Sequence, residues 1–258
     1  MTTLTFDRHD RVGVVTLTRP DRLNAIGRDT LTELDAVLSG LDGDRAVGAL
    51  VITGEGRAFS AGANIDELSE LDGPDSFAAF VHFFTDVLGR LEQHPTPSIA
   101  AIDGVAFGGG LELALACDLR VASDRARLGV PEIKLGLLPG AGGTQRLPRL
   151  LPRGIATQML LTGEPLSALD AHRLGLVNQL SGDAPALDTA LALARTVAAG
   201  PIDALAAAKR LVQHGMELQL ADAVALERAS VSALFGSADA AEGLRAFREK
   251  RAPEFRDH

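Results

Sequence analysis

Residues 107–118 read FGGGLELALACD, three glycines followed by a short apolar segment with one carboxylate, Glu112. From Leu111 to Cys117 apolar residues fall on every side of a helix, which predicts a helix buried all round. A carboxylate is almost never fully buried without a partner or a task. Glycines allow close approach to the backbone, and a helix start offers unpaired N–H groups. The stretch therefore predicts an oxyanion-binding backbone beside an acid/base carboxylate.

Strands and helices alternate around this stretch. Apolar runs predict strands at residues 14–18, 49–53, 98–102 and 119–122. Apolar residues at helical spacing predict helices at residues 30–41, 76–91 and 144–151. Thr30 and Glu33 fit a capping box at the start of the first helix. The alternation predicts an α/β architecture with parallel strand pairing.

The C-terminal third has a different pattern, which is nearly all helical. We predict helices at residues 184–199, 202–214, 218–235 and 237–250. Gly200-Pro201 separates the first two. The chain is therefore divided into a core region, residues 1–199, and a C-terminal helical region, residues 200–258. The second region packs either on the core or on a neighbouring subunit, and the sequence leaves both open.

Composition excludes several classes of protein. The formal net charge of −9 argues against a general nucleic-acid binder, which needs a basic face. Cys117 is the only cysteine and reads as a core residue, and none of the six histidines has metal-ligand spacing. No apolar run reaches the ~20 residues of a membrane span, and the N-terminus lacks a signal-peptide pattern. We expect a cytoplasmic protein that binds no metal, nucleic acid or membrane.

Four segments together point to a family. They are residues 57–66 (RAFSAGANID), 107–118, 131–136 (PEIKLG) and 139–147 (PGAGGTQRL). In this order and spacing they resemble the enoyl-CoA hydratase/isomerase (crotonase) family, and the similarity extends to the tail at 247–251 (FREKR). The resemblance implies a crotonase-type spiral of ββα units with a C-terminal helical layer. It also implies an acyl-CoA thioester substrate, no cofactor beyond the coenzyme A of that substrate, and a homotrimer or dimer of trimers.

The resemblance also implies the catalytic groups. The backbone N–H groups of Ala63 and Gly109 form the oxyanion hole for the thioester oxygen. Glu112 activates water, and Glu132 donates a proton to Cα. Taken alone, Glu132 would be interpreted as an exposed loop residue, and only the resemblance assigns it a role. Both carboxylates together favour a hydratase over relatives that keep one.

The coenzyme A contacts are the least determined part of the prediction. The residues expected there are Arg22, Ala25, Arg57, Ala61, Asn64 and Ile65. Phosphates need cations, although either arginine could instead be an ordinary solvated side chain. Asn64 and Asp66 depart from a family pattern in which Asp and Lys are common, and a carboxylate at 66 removes a possible phosphate contact. Residues 68–90 and 137–138 are expected to line the acyl pocket.

The sequence thus predicts an enoyl-CoA hydratase, a hydro-lyase of fatty acid metabolism. It would add water to trans-2-enoyl-CoA and give 3-hydroxyacyl-CoA. An enoyl-CoA isomerase, or a specialised acyl-CoA hydratase of the same fold, is the alternative within the family. A non-catalytic acyl-CoA binder or an RNA-binding family member is the alternative outside enzymology, and the acidic charge disfavours RNA.

Overall fold

A computed structural model describes residues 2–255, so Met1 and residues 256–258, including His258, lie outside the described part of the chain. Its strands are β1 (Leu4–His9), β2 (Val12–Leu17), β3 (Ala49–Gly54), β4 (Ala58–Ser60), β5 (Ser98–Ile102), β6 (Val105–Phe107), β7 (Leu119–Ala122), β8 (Arg127–Gly129), β9 (Leu166–Ser167) and β10 (Gln179–Leu180). All four predicted strands are confirmed, with bounds within two residues.

Helices make up most of the remaining structure. They are α1 (Arg28–Leu41), α2 (Ile65–Ser69), α3 (Gly73–Gln93), α4 (Gly109–Ala116), α5 (Gly143–Leu150), α6 (Arg153–Thr162), α7 (Ala168–Arg173), α8 (Ala186–Ala198), α9 (Ile202–Gly215), α10 (Leu220–Phe235) and α11 (Ala238–Glu249). Two short 3-10 turns lie at Pro20–Arg22 and Pro131–Leu135. The predicted helices are confirmed, including the four of the C-terminal third.

The strands form two sheets that the chain visits in turn. The larger sheet has the order β1-β2-β3-β5-β7-β10, and the smaller has the order β4-β6-β8-β9. All pairs are parallel except β1 with β2 and β8 with β9. Two successive turns of the chain each add one strand to the larger sheet, one to the smaller sheet and then a helix: β3-β4-α2 and β5-β6-α4. This is the predicted spiral of ββα units.

Strands β2, β3, β5 and β7 of the larger sheet pair in parallel and are buried on both faces, as is usual for parallel strands. Alternate residues of β3 point to opposite faces. Leu50 and Ile52 belong to the main core, whereas Ala49 and Val51 pack in a second cluster with the alanines of α8. Gly48, just before β3, lets the end of α8 lie close to the start of this strand, since a Cβ at Gly48 would lie 3.0 Å from the Ala198 Cα.

Helix α1 confirms one prediction and overturns another. Its four leucines, Leu31, Leu34, Leu38 and Leu41, are buried as expected. The capping box was wrong, because the helix begins at Arg28 and no side chain of its own caps it. The Glu33 carboxylate instead accepts hydrogen bonds from Thr3 N and Leu4 N, at 2.8 and 3.0 Å. A tertiary partner, the backbone at the start of β1, has replaced the local one.

The helix start at Arg28 is served by a distant carboxylate. Glu67 of α2 accepts from the Arg28 N–H at 3.1 Å. This contact ties α2 to α1, and α2 begins immediately after the loop that contains Ala63. The loop at residues 61–64 is therefore held at both of its ends by regular structure.

The helices after α8 bury fewer residues than α8 does. Helix α9 is fixed to it by the ion pair between Lys209 and Asp118, whose N–O distance is 2.8 Å. Helix α10 has no buried residue. Among residues 2–255 no helix by itself has the length and apolar character to cross a membrane. The bent pair α8 and α9 meets that standard jointly, with 109° between its members.

Candidate active site

A cavity of about 670 Å³ opens where α3, α4, the 61–65 loop and the segment 131–145 meet. Its apolar wall includes Leu68, Phe77, Phe80, Val81, Phe84, Leu137 and Leu138. Both stretches predicted to line an acyl pocket, residues 68–90 and 137–138, thus contribute to one cavity. Its polar end contains the carboxyl groups of Glu112 and Glu132.

Two backbone N–H groups reach this polar end from distant parts of the chain. A Cβ built at Gly109 would lie 3.4 Å from the Ala63 nitrogen, and one at Gly62 would lie 3.3 Å from the Gly109 nitrogen. Within residues 2–255 neither the Ala63 N–H nor the Gly109 N–H donates a hydrogen bond. Gly109 is the first residue of α4, where N–H groups have no partner in the helix. The pair can therefore bind an oxyanion.

Glu112 lies on a helix that is buried on every side, as the sequence predicts. All eight residues of α4 are buried, and Glu112 is 3% exposed. Its Oε1 accepts hydrogen bonds from Ala141 N at 2.7 Å and from Gly143 N at 2.8 Å. Burial raises the pKa of Glu112, while these two N–H groups and the charge of Arg146 oppose the rise. The Oε1 atom of Glu112 thus accepts both of its hydrogen bonds from backbone N–H groups of the protein.

Glu132 is held quite differently. It lies on the 3-10 turn Pro131–Leu135, which contains no buried residue. Its Oε2 is nevertheless buried and accepts no hydrogen bond from residues 2–255. Burial raises the pKa of Glu132 to about 7, and the charge of Glu112 adds to the rise. The interpretation of Glu132 as a plain exposed loop residue is therefore wrong.

A glycine lets Glu132 approach α4. Gly108 has a φ of +53°, and a Cβ there would lie 2.9 Å from Glu132 Oε1. A larger residue would meet both the unfavourable backbone conformation and the carboxylate. The glycines before α4 therefore leave room for the second carboxylate as well as for a ligand.

Comparison with known proteins identifies the family. The family model described as enoyl-CoA hydratase/isomerase matches residues 7–258. The chain belongs to the enoyl-CoA hydratase/isomerase family. A relative from Mycobacterium tuberculosis, named a probable enoyl-CoA hydratase, is 42% identical over 253 residues, covering 98% of this chain and 97% of the relative. The short-chain-enoyl-CoA hydratase of Clostridium acetobutylicum is 38% identical over 249 residues, covering 96% and 95%.

Solved structures of the family share the fold. The enoyl-CoA hydratase from Bacillus anthracis superimposes with a TM-score of 0.96 at 33% identity, covering 99% of this chain and 100% of that one. An enoyl-CoA hydratase subunit from Geobacillus kaustophilus gives a TM-score of 0.93 at 40% identity, covering 99% and 98%. The predicted α/β fold of the crotonase type is confirmed.

The residues predicted for coenzyme A fall into two groups in this family member. Ala61 and Ile65 line the cavity beside Ala63. The remaining residues, Arg22, Ala25, Arg57 and Asn64, are not part of its lining. Arg22 is paired with Asp66, with 3.0 Å between Nη1 and Oδ2, and both side chains are exposed. The Asp66 carboxylate is therefore paired with Arg22, one of the two arginines predicted to bind a coenzyme A phosphate.

Sequence reasoning missed the groups that hold Glu112. The segment 139–147 was recognised as a motif, but its N–H groups at Ala141 and Gly143 were given no role. Arg146 contacts Ala141 from behind, since its Nη1 donates to the Ala141 carbonyl at 2.7 Å. The available signal was the glycine-rich turn followed closely by an arginine, yet nothing in the sequence says which carboxylate such a turn faces.

The prediction for the single cysteine has a simpler outcome. Cys117 is buried, and burial raises the pKa of its thiol to about 12, so the interpretation as a core residue is confirmed. Within residues 2–255 no three His, Cys, Asp or Glu side chains are grouped so as to hold a metal ion.

Proposed function

We propose that this chain is an enoyl-CoA hydratase that adds water to trans-2-enoyl-CoA and gives 3-hydroxyacyl-CoA. One observation carries the proposal: Glu112, Glu132, Ala63 and Gly109 all border one cavity. The backbone N–H groups of Ala63 and Gly109 donate no hydrogen bond within residues 2–255. That is the set of groups which hydration of an unsaturated thioester requires. The names of the relatives support the same activity.

The oxyanion hole comes first in the proposed mechanism. When water attacks C3, negative charge develops on the thioester oxygen. The N–H groups of Ala63 and Gly109 would bind that oxygen, and losing one such donor typically raises the barrier by ~3 kcal/mol. The N-terminal end of α4 adds a favourable dipole at the same place.

The two carboxyl groups take different parts in the proton transfers. Two N–H donors favour the charged form of Glu112, which would accept a proton from the attacking water. The pKa of Glu132, raised by burial to about 7, keeps a large fraction protonated near neutrality, and Glu132 would give its proton to Cα. The hydroxyl joins C3 and the proton joins C2, so the product is substrate plus one water. Solvent then resets both carboxyl groups.

The remaining contacts follow from the shape of the cavity. We place the acyl chain against Phe77, Phe80, Phe84, Leu137 and Leu138. We assign coenzyme A to Ala61 and Ile65 near the thioester, and to Arg22, Ala25, Arg57 and Asn64 towards the nucleotide. No cofactor beyond coenzyme A enters this scheme, and a cytoplasmic location stays a prediction.

A homotrimer or a dimer of trimers is proposed for the assembly. Large apolar side chains on the C-terminal region are open to solvent in one chain, and Leu220, Phe235 and Phe247 are 79%, 73% and 84% exposed. Exposed apolar surface of this kind marks an interaction surface. The division into a core, 1–199, and a C-terminal packing region, 200–258, is proposed on the same ground. Light scattering after size-exclusion chromatography would measure the assembly.

The function is tested with purified protein and a series of C4 to C16 2-enoyl-CoA thioesters, with a 3-enoyl-CoA assayed in parallel. We expect loss of the conjugated enoyl absorbance and formation of the 3-hydroxyacyl thioester. Conversion of the 3-enoyl substrate without hydration of any 2-enoyl substrate would instead identify an isomerase. Binding of acyl-CoA with no turnover, or a salt-dependent complex with RNA, would point outside enzymology.

A further inference from the structure

The turn at residues 141–143, whose N–H groups bind Glu112, is itself bound by the side chain of Arg146. Ala141 is bound on both sides: its N–H donates to Glu112 Oε1 at 2.7 Å, and its carbonyl accepts from Arg146 Nη1 at 2.7 Å. Gly143 supplies the second N–H to the same oxygen at 2.8 Å. A displacement of this turn would therefore move both donors away from Glu112 together.

Arg146 is fixed in turn by Glu92 at the end of α3. Its Nε donates to Glu92 Oε1 at 3.1 Å, and its Nη2 donates to Oε2 at 2.7 Å. This is the two-pronged arrangement that a planar guanidinium forms and an ammonium cannot. The Arg146 side chain is 14% exposed and that of Glu92 is 37% exposed, so the guanidinium is the more buried member of the pair. Three of its nitrogens thus have partners, from two different elements.

The turn is shaped to receive the guanidinium. Gly142 has a φ of +104°, and a Cβ there would lie 2.1 Å from Arg146 Nη1. Only a glycine gives the backbone this conformation and leaves that space. The backbone at Gly142 therefore fits closely around the Arg146 side chain. A solvated surface arginine would not require such a fit.

We propose that Arg146, anchored by Glu92, is a positioning residue that fixes the 141–143 turn so that both of its N–H groups bind Glu112 Oε1. The inference rests on the function proposed above. With Oε1 fixed, the carboxylate is oriented and its other oxygen remains for the attacking water. Arg146 itself does not border the cavity, so it would act through the turn.

The arrangement has a consequence for protonation. The two N–H groups and the positive charge of Arg146 lower the pKa of Glu112 against the effect of burial. Loss of Arg146 removes its charge and releases the two N–H groups from Glu112, and both of these changes raise the pKa of Glu112. The acid limb of the pH profile, where Glu112 must be ionised to act as a base, then moves to higher pH.

The test compares Arg146→Gln and Arg146→Lys with the control Arg149→Gln, an exposed arginine one turn further along α5 whose Nη1 bonds only within the helix. We expect Arg146→Gln to lower kcat for hydration at pH 7 by about tenfold or more, because small misplacements of a catalytic group have effects of this size. KM should change less, and the acid limb should move to higher pH. Arg146→Lys should show a smaller loss in the same direction.

Glu92→Gln and the double variant form a cycle that tests the anchor. If Glu92 acts through Arg146, its substitution should reduce kcat in the wild-type background and have little further effect in Arg146→Gln, so the two losses are not additive. Additive losses would separate Glu92 from the proposal. If Arg146→Gln does not fold, Arg146→Lys and Glu92→Gln still carry both readouts.

Two outcomes overturn the inference while leaving the function intact. One is wild-type kcat and an unmoved acid limb in all three single variants. The other is a lowered melting temperature with unchanged kcat per folded enzyme and an unchanged pH profile, which would make Arg146 a merely structural residue. A wild-type enzyme that hydrates no 2-enoyl-CoA would instead contradict the proposed function, so the two failures are distinguishable.

Discussion

Glu112 and Glu132 border one cavity, but the chain holds them in opposite ways. Glu112 is on a helix whose every residue is buried, and two N–H groups bind one of its oxygens. Glu132 is on a short 3-10 turn with no buried residue, and its buried Oε2 accepts no hydrogen bond from residues 2–255. Two identical side chains thus have different surroundings, which in the proposed mechanism would let one site supply both a base and an acid.

The largest effect that tests this comparison is removal of either carboxyl group. Glu112→Gln and Glu132→Gln keep the shape of the side chain but remove its acid/base function. Each should lower kcat for hydration by at least ~100-fold, the lower end for a positioned acid or base. Steady-state hydration of a short 2-enoyl-CoA measures it.

The matched control is Glu70→Gln, an exposed glutamate between α2 and α3 that does not line the cavity. It should leave kcat unchanged. Near-normal turnover in either cavity variant would remove that residue from its role and, with it, the proposed division between base and acid.

A second effect concerns the pH profile of hydration. The ionisation of Glu112 should give the acid limb of this profile, and the ionisation of Glu132 should give the basic limb. Glu132 must be protonated to donate, and its pKa is about 7 because of burial. The value of kcat/KM should therefore fall as pH rises above about 7, approaching tenfold per unit. In Glu132→Gln the remaining activity should lack this limb, and a limb that persists in that variant would have another origin.

A third effect is on stability, and its sign follows from the raised pKa. Between pH 4.5 and 7 the unfolded chain ionises Glu132 while the folded chain keeps it protonated. The unfolded state then binds fewer protons, so the free energy of unfolding decreases as pH rises through this range. Glu132→Gln, which cannot ionise, should be the more stable protein at pH 8, by on the order of 1 to 2 kcal/mol after solvent screening.

Chemical denaturation at pH 4.5 and pH 8 measures this difference. The wild type and Glu132→Gln should be close at the lower pH and separate at the higher. A wild type that remains the more stable at pH 8 would show that ionised Glu132 is well solvated or paired, contrary to the structure. A variant that is inactive yet more stable would be the expected signature of a functional group held in an unfavourable place.

The smallest effect concerns the region outside the cavity. Asp66 pairs with Arg22 and places a negative charge where coenzyme A phosphates are expected. Asp66→Asn should lower KM for acyl-CoA by about two- to fivefold, in the range of an exposed ion pair, and the gain should shrink with added salt. Asp188→Asn on α8 is the control. An unchanged KM would remove Arg22 from the proposed contacts.

The same two carboxylates show how far sequence could reach. Glu112 was predictable because an apolar run with one carboxylate is informative in itself, and its helix was found within two residues at the N-terminal end. Glu132 was assigned a role only by the family resemblance, since a glutamate after a proline in a loop, taken alone, matches any surface loop. Its carboxylate lies against Gly108 and is affected by the charge of Glu112, and neither residue is near it in sequence.

Other differences have the same cause. The Thr30–Glu33 capping box satisfied every local rule, yet Glu33 binds the start of β1 across 29 and 30 residues of sequence. Likewise, the turn at 141–143 was visible as a glycine-rich segment, but only the fold places it against Glu112. Strands, helices and their order were predictable from patterns of adjacent residues, whereas the hydrogen-bond partners were fixed by parts of the chain far apart in sequence.

The central claim is that Glu132 and Glu112 hydrate a double bond together, and one measurement tests it most directly. A C4 2-enoyl-CoA is incubated in D2O with the wild type, with Glu112→Gln and with Glu132→Gln, and the product is followed by NMR. The account predicts a 3-hydroxyacyl-CoA with one deuterium at C2, formed at least ~100-fold more slowly by each variant. Equal rates from all three proteins, or deuterium at carbon without any hydroxylated product, would contradict it.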